Sequence, residues 1–173
     1  SILSQSSPVD EIIVVDDGST DDSVTIIREL FKTVKGSIKV NLYKQENSGP
    51  SAARNKGVEL STSSYVAFLD SDDEWFPDHI KSIKSFLVVN DNYKMVATKY
   101  VSMPVLFYGE VSLKRMILKN HFFTPCIVLN KDLFLKSNGF IETMKHAEDY
   151  YLWLNIISKN KAYLLDYIGA RNI

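Results

Sequence analysis

Residues 65–74 read YVAFLDSDDE, a short apolar run that ends in the carboxylates Asp70, Asp72 and Asp73. About five apolar residues, some of them β-branched or aromatic, predict a strand buried on both faces. The acids follow its carboxyl end, where open α/β sheets bind ligands. Carboxylates are the ligands that Mg²⁺ and Mn²⁺ prefer, and such a cation commonly bridges to substrate phosphates. We therefore predict a metal site here. The alternative is a polar turn in which Asp73 caps the next helix.

A second stretch repeats this pattern. Residues 11–17 read EIIVVDD, in which four β-branched residues precede Asp16 and Asp17, and Gly18 follows as a turn residue. We expect a strand beside the first one. A carboxylate at its end can accept a hydrogen bond from a base N–H or a ribose hydroxyl. For one of the two acids, the alternative is that it only holds the Gly18 turn.

Strands and helices alternate along the first half of the chain. The pattern predicts strands at 11–17, 38–43 and 65–69, and helices after residue 20, at 51–60 and from Pro77. This alternation is typical of a doubly wound α/β domain. The second half is less regular, with strands expected at 93–101, 124–129 and 162–168 and helices at 110–119, 131–137 and 150–158. No repeat or linker divides the chain.

The composition excludes several classes of protein. A chain of 173 residues that is 45% hydrophobic fits one globular domain. The 20 basic and 21 acidic residues nearly cancel, so no overall field favours nucleic acid as a partner. The single cysteine, Cys126, excludes an internal disulfide and a cysteine zinc site, and we expect it in the core. No apolar run approaches the roughly eighteen residues of a membrane span.

Four motifs together carry a family resemblance: VVDDGSTDDS at 14–23, NSGPSAARN at 47–55, FLDSDD at 68–73 and EDYYLW at 148–153. In this order they resemble the family 2 glycosyltransferases, which are inverting, nucleotide-sugar-dependent enzymes. The resemblance implies an α/β GT-A fold, a Rossmann-like three-layer sandwich with a central, mostly parallel sheet. It further implies a single GT-A domain over 1–173, with 1–92 as the nucleotide-binding half and 93–173 as the acceptor-side half. The family opens with a strand and a nucleotide-binding loop, which we expect to be absent from this chain.

The resemblance also implies roles for residues of the first half. One of Asp16 and Asp17 would contact uracil, and Asp70 would contact the ribose. Asp72 would bind a divalent metal, Mn²⁺ or Mg²⁺, and Asp73 could also take that role. Arg54 lies on the first turn of the helix predicted at 51–60, where helix amides and a cation both favour the negative charge of a diphosphate. The alternative for Arg54 is a solvated surface arginine.

Asp149 is the predicted general base. An inverting transfer needs a carboxylate near the acceptor hydroxyl, on the face of the sugar opposite the leaving diphosphate. The family supplies it from a Glu-Asp pair at a helix start, which Glu148 and Asp149 match. The alternative is a pair of helix N-terminal acids stabilised by the dipole. Glu148, His146 and Trp75 are weaker candidates for the acceptor side.

The expected function is transfer of a sugar from a nucleotide diphosphate donor, a UDP-sugar, to a hydroxyl of a saccharide or lipid-linked acceptor. Few Gly and Pro with many Lys, Asn and Ile are typical of an AT-rich bacterial genome. In such organisms the resemblance implies surface polysaccharide synthesis, in the cytoplasm at the inner face of the plasma membrane, with peripheral membrane association. One alternative is a nucleotide-sugar-binding module without catalysis. A weaker one is a metal-dependent phosphotransferase of the haloacid dehalogenase type, whose motif has Thr or Val where Glu74 stands.

Overall fold

The computed structural model describes residues 1–34, 36–102 and 107–173. Strands and helices alternate through most of this length, as the apolar periodicity predicts. The helices are α1 (Ser23–Thr33), α2 (Pro50–Leu60), α3 (His79–Val89), α4 (Leu113–Leu118), α5 (Lys131–Lys136) and α6 (Glu148–Ile157). The strands are β1 (Glu11–Asp17), β2 (Lys39–Gln45), β3 (Tyr65–Ala67), β4 (Asp73–Trp75), β5 (Met95–Tyr100), β6 (Gly109–Glu110), β7 (Ile127–Asn130) and β8 (Ala162–Asn172).

The strands of the described residues form two sheets. One contains the parallel pair β1 and β2. The other has the order β3-β7-β5-β8-β4, and β6 pairs with β8. In this larger sheet β5 and β8 are parallel, whereas the pairs β3–β7, β5–β7, β4–β8 and β6–β8 are antiparallel. The α/β class is confirmed, but the sheet is mixed and not mostly parallel as predicted.

The acidic turn explains part of this difference. The Asp73 N–H donates to the Asp70 carbonyl at 3.1 Å, so the chain reverses at Asp70–Asp73 and β4 runs opposite to β3. β4 then pairs antiparallel with β8 and does not pair with β3, the strand before it in the sequence. Asp73 therefore begins a strand and does not cap a helix, and α3 begins only at His79.

A large cleft separates the two sheets. Among the described residues, β1 pairs only with β2 and β3 only with β7, and both strands line a cleft of about 1640 Å³. Its wall is mainly apolar and includes Val14 of β1, Val66 of β3, Leu30 of α1 and Ile83 of α3. The edges of β1 and β3 that do not pair thus remain available for main-chain hydrogen bonds.

The main core lies under the larger sheet. Cys126 is fully buried, which confirms its predicted core position, and Trp153 of α6 is fully buried as well. A second layer is built where α3 crosses β8. There the buried His79 imidazole packs against Trp75 with ring centroids 4.8 Å apart, and its Nδ1 lies 3.1 Å from the Thr98 hydroxyl. In the described part of the chain no helix is long and apolar enough to cross a membrane.

Substitution of Gly169 tests this second layer. A Cβ at Gly169 would lie 2.1 Å from Thr98 Oγ1 and 2.3 Å from His79 Nδ1, and His79 cannot retreat because it packs on Trp75. We expect Gly169→Ala to lower the free energy of unfolding by about 2 to 3 kcal/mol, as overpacking does. Urea denaturation followed by circular dichroism measures the change.

The matched control is Gly57→Ala in α2. Its added Cβ would meet only Val15 Cγ2, at an ordinary 3.7 Å. Since alanine is the better helix former, we expect stability to rise by about 0.5 to 1 kcal/mol. Equal effects of the two substitutions would contradict the packing described for Gly169.

Candidate active site

The turn after β3 holds the three predicted acids in different environments. Asp73 Oδ1 accepts a hydrogen bond from the Tyr100 hydroxyl at 2.6 Å. Burial raises the pKa of Asp73, and the bond from Tyr100 opposes this only in part. Asp72 is exposed, and the one bond that its Oδ2 accepts from the described residues is a long one of 3.2 Å from the Asn172 amide. Asp72 is therefore the acid with the most freedom to bind a ligand.

The third acid, Asp70, is bound by Arg54. Two bonds join them, from Arg54 Nε to Asp70 Oδ1 at 3.2 Å and from Nη2 to Oδ2 at 2.6 Å. The same guanidinium donates from Nη1 to Glu148 Oε1 at 3.1 Å. Arg54 is only 14% exposed and Glu148 only 16%, so the surface alternative for Arg54 is wrong. Arg54 of α2 therefore joins the acidic turn to the start of α6, which is far from both in the sequence.

A second contact fixes α2 against the loop before α6. The Asn55 amide donates to the Phe140 carbonyl at 2.9 Å, and its Oδ1 accepts from the Phe140 N–H at 2.9 Å. Gly139 has φ +62° and lies so close that a Cβ would be 2.7 Å from Asn55 Oδ1. The Phe140 ring in turn lies under Arg54, with the guanidinium carbon 5.4 Å from its centroid. These contacts hold Arg54 in place.

The acids at the end of β1 differ from each other. Asp17 accepts hydrogen bonds of 2.8 Å from the Gln45 amide and from the Ser48 and Gly49 N–H groups. Burial raises the pKa of Asp17, but these donors together lower it below its usual value. Asp16 is buried, and among the described residues its Oδ2 has no hydrogen-bond partner. Asp17 therefore holds the loop before α2, while Asp16 keeps a free acceptor.

Asp149 lies on the first turn of α6, next to Glu148. Its Oδ1 accepts from the Tyr150 N–H at 2.6 Å, and its Oδ2 accepts from the Thr124 hydroxyl at 3.4 Å. Burial raises the pKa of Asp149 and the Glu148 charge adds to this, while the Tyr150 N–H and Arg54 oppose it. A partly buried carboxylate with a raised pKa is a suitable proton acceptor near neutral pH.

A second set of contacts joins the acidic turn to Asp149. Tyr100, which donates to Asp73, stacks on Phe123 with centroids 5.2 Å apart and planes 10° apart. Burial and then the Asp73 carboxylate raise the pKa of Tyr100, so its phenol stays protonated and donates. Phe123 precedes Thr124, whose hydroxyl reaches Asp149. The structure thus brings three of the four motifs to one place.

The side chains that could act as metal ligands decide how a divalent cation could be held. Among residues 1–34, 36–102 and 107–173, no three His, Cys, Asp or Glu side chains form a group that could hold a metal ion. Asp70 is bound by Arg54, which leaves Asp72 and the second oxygen of Asp73. Mg²⁺ is commonly bound by one or two carboxylates together with substrate phosphates. The acids present fit that mode, and the predicted metal remains a prediction.

The weaker acceptor-side candidates lie in different places. Trp75 is buried, and its indole N–H donates to the Pro125 carbonyl at 2.7 Å. This holds the turn Thr124–Cys126 under Asp149, so Trp75 supports the site and does not offer a ring to a sugar. His146 is exposed in the loop before α6. Its predicted role stays a prediction.

Sequence reasoning missed Tyr100, Thr124 and Asn55 as parts of the site. Each acts through a contact with a residue at least 25 positions away. Asn55 directly follows Arg54 in its motif, which is a signal that could have singled it out. No local pattern distinguishes Tyr100 or Thr124 from other strand and turn residues.

Comparison with known proteins places the chain in a family. The model of Glycosyl transferase family 2 matches residues 1–134. RC0461 of Rickettsia conorii, an uncharacterized glycosyltransferase, is 33% identical over 92% of this chain and 27% of its own length. WfaP of Escherichia coli is named a UDP-Glc:alpha-D-GlcNAc-diphosphoundecaprenol beta-1,3-glucosyltransferase. It is 31% identical over 99% of this chain and 65% of its own length.

Two further proteins extend the comparison. TuaG of Bacillus subtilis, named for teichuronic acid biosynthesis, is 30% identical over 92% of this chain and 65% of its own length. The chain thus spans about a quarter to two thirds of the curated relatives it matches. TarS of S. aureus, solved with UDP, has a TM-score of 0.81 at 24% identity over 98% of this chain and 53% of that chain. This likeness confirms the predicted GT-A fold, and the family match shows that the chain belongs to glycosyl transferase family 2.

Proposed function

We propose that the chain carries the active site of an inverting glycosyltransferase, which moves a sugar from a UDP-sugar to a hydroxyl of a saccharide or lipid-linked acceptor. One observation carries this proposal. Arg54 binds Asp70 and Glu148 together, which sets the acids predicted for the donor beside Asp149, the predicted base. Donor and acceptor chemistry need these groups to lie side by side.

The proposed reaction is a single displacement. The acceptor oxygen forms a bond to C1 of the sugar as the bond between C1 and the diphosphate oxygen breaks, and the nucleoside diphosphate leaves with the electron pair. Asp149 takes the proton of the acceptor hydroxyl. Thr124 and the Tyr150 N–H hold its carboxylate in position for this step.

The donor would be held by groups at the strand ends. We assign the contact with the nucleotide base to Asp16, because its Oδ2 has no hydrogen-bond partner among the described residues. Asp17, by contrast, already accepts hydrogen bonds from the loop before α2. Asp70 would face the ribose and Arg54 the diphosphate. Asp72 with Asp73 would hold a divalent cation, which would neutralise the leaving diphosphate.

The proposal also covers the roles of the two halves of the chain and the place where the reaction occurs. Residues 1–92 would bind the nucleotide and 93–173 the acceptor. The names of WfaP and TuaG support a role in bacterial surface polysaccharide synthesis. The location proposed for the reaction is the cytoplasm at the inner face of the plasma membrane, with peripheral membrane association of the protein.

A turnover screen tests the function. The chain is incubated with Mn²⁺ and single UDP- and GDP-sugars, with and without saccharide acceptors, and the release of nucleoside diphosphate is measured. Transfer from one donor supports the proposal. Tight UDP binding with no release from any donor would instead support a binding module, and release of inorganic phosphate from phosphomonoesters would support a phosphotransferase.

Removal of Asp72 tests the metal assignment. We expect Mn²⁺ to strengthen UDP binding to the wild type about tenfold or more, and Asp72→Ala to abolish this gain while metal-free affinity stays unchanged. Isothermal titration with UDP, in the presence of Mn²⁺ or EDTA, measures both affinities. Asp91→Ala, which removes an exposed acid after α3, is the control and should behave as wild type. A Mn²⁺ gain that survives in Asp72→Ala would remove Asp72 from the metal site.

A further inference from the structure

The end of α4 presents apolar side chains to solvent. Met116 is fully buried and anchors the helix, whereas Ile117 is 62% exposed and Leu118 is 79% exposed. Both leave the buried face although an apolar side chain of this size gains about 1.5 to 3 kcal/mol on full burial. Adjacent exposed apolar side chains indicate a surface that interacts with a partner or a membrane.

Three cations lie near this apolar pair in the sequence. Lys114, Arg115 and Lys119 are all exposed, and the ion pairs found in the described ranges include none of them. The sequence has no acid between Glu110 and Asp132. In a chain with a net charge of −1, this is a local excess of positive charge. We call Ile117, Leu118 and these three cations the α4 patch.

The α4 patch belongs to a helix that packs against α6, the helix that carries the proposed base. The Tyr150 hydroxyl donates to the Met116 carbonyl at 2.6 Å, and Tyr150 directly follows Asp149 in α6. On the other side, the chain runs from α4 to Thr124, whose hydroxyl reaches Asp149 at 3.4 Å. A surface that binds to the α4 patch therefore lies close to the group that would activate the acceptor.

We propose that the α4 patch binds the surface of an anionic lipid bilayer. Ile117 and Leu118 enter the boundary between headgroups and acyl chains, and the lysines and Arg115 meet the lipid phosphates. Exposed apolar side chains beside lysines and an arginine are the combination that lies in the interface of an anionic bilayer. The benefit to catalysis, a lipid-linked acceptor held near Asp149, rests on the proposed function.

Vesicle sedimentation tests the proposal without any sugar transfer. The chain is mixed with vesicles of phosphatidylcholine alone, or with about one third phosphatidylglycerol, and the bound fraction is measured at low and high salt. We expect binding to the anionic vesicles, weakened by salt, and little binding to the neutral ones. Lys114→Gln and Lys119→Gln should each lower the partition coefficient about fivefold. The double variant Ile117→Ser, Leu118→Ser should lower it about tenfold or more.

A matched control uses another exposed apolar pair. Val88 and Val89 at the end of α3 are 81% and 77% exposed, and Asp91 follows them. The double variant Val88→Ser, Val89→Ser should bind anionic vesicles like wild type. Absence of binding, equal binding to neutral vesicles or an equal loss in the α3 variant would each overturn the proposal. Because no donor is present, such a failure leaves the proposed transfer reaction untouched.

Discussion

Asp149→Asn should reduce sugar transfer about a thousandfold while UDP binding is retained. General base catalysis is worth about 10² to 10⁴ in rate, and asparagine cannot accept the acceptor proton. Its amide oxygen can still accept from the Tyr150 N–H, so the first turn of α6 should keep its geometry. Single-turnover transfer assays and UDP titration measure the two properties separately.

The pH dependence gives this prediction a second readout. Burial raises the pKa of Asp149, and the base must be ionised to act. Transfer by the wild type should therefore rise with pH through this raised pKa, which lies above that of an unperturbed aspartate. The acid limb of the profile should vanish in Asp149→Asn, whose residual rate has no such base to titrate.

Asp149→Asn should lower activity without lowering the free energy of unfolding. The pKa of Asp149 is higher in the folded than in the unfolded chain, so its contribution to stability is full below the unfolded pKa and is lost as pH rises through the folded pKa. At neutral pH, Asp149→Asn should therefore unfold at the same or a higher urea concentration than wild type. A variant that is inactive because it is unfolded would behave oppositely.

A matched control is Asp132→Asn, in an exposed acid on the first turn of α5. Both residues occupy helix N-termini, where a negative charge interacts with the dipole. If Asp149 acted only as a helix-end acid, the two substitutions would have similar effects. Transfer that survives in Asp149→Asn at more than about a tenth of the wild-type rate would remove the proposed base.

The acidic turn shows which features of the site can be predicted from local sequence and which cannot. The apolar run at 65–69 predicted a strand, and β3 occupies Tyr65–Ala67 with Phe68 buried after it. The three acids were correctly placed at the end of that strand because apolar periodicity stops there. Their distinct environments could not be predicted, because they depend on Arg54 for Asp70 and on Tyr100 for Asp73.

The pairing of strands in the mixed sheet could not be predicted from local sequence for a similar reason. A strand–helix alternation predicts parallel pairing only when each helix connects two neighbouring strands. Here β7 and β8 both neighbour β5, on opposite sides, and β4 reverses within the acidic turn. Pairing partners over such distances follow from the packing of the whole chain. Family motifs, by contrast, singled out Arg54, Glu148 and the acidic turn, which the structure brings into contact, and the roles predicted for them remain predictions.

Arg54→Ala should cost about 3 kcal/mol in the free energy of unfolding. Removal of one partner from a buried ion pair typically costs about 3 to 5 kcal/mol, because the other partner is left uncompensated. We take the lower end because Asp70 is partly exposed. The loss should be accompanied by weaker UDP binding if Arg54 also meets the diphosphate. Urea denaturation and UDP titration measure the two effects.

A control on the same helix separates this effect from a general loss of charge. Lys56 pairs with Glu59, whose side chain is 68% exposed, and exposed pairs contribute about 0.2 to 1 kcal/mol. Lys56→Ala should therefore cost at most about 1 kcal/mol. Arg54→Lys keeps the charge but cannot form the paired bonds to Asp70, so it should fall between wild type and Arg54→Ala.

A second substitution, at Glu148, tests whether Arg54 couples the acidic turn to α6. Glu148→Gln alone removes a charge that Arg54 balances, so we expect it to destabilise the wild type. In the Arg54→Ala background the same change removes a carboxylate that is only 16% exposed and has lost its partner. There it should be neutral or stabilising, because an unpaired buried charge is costly. Equal costs of Glu148→Gln in both backgrounds would mean that Arg54 does not couple the acidic turn to α6.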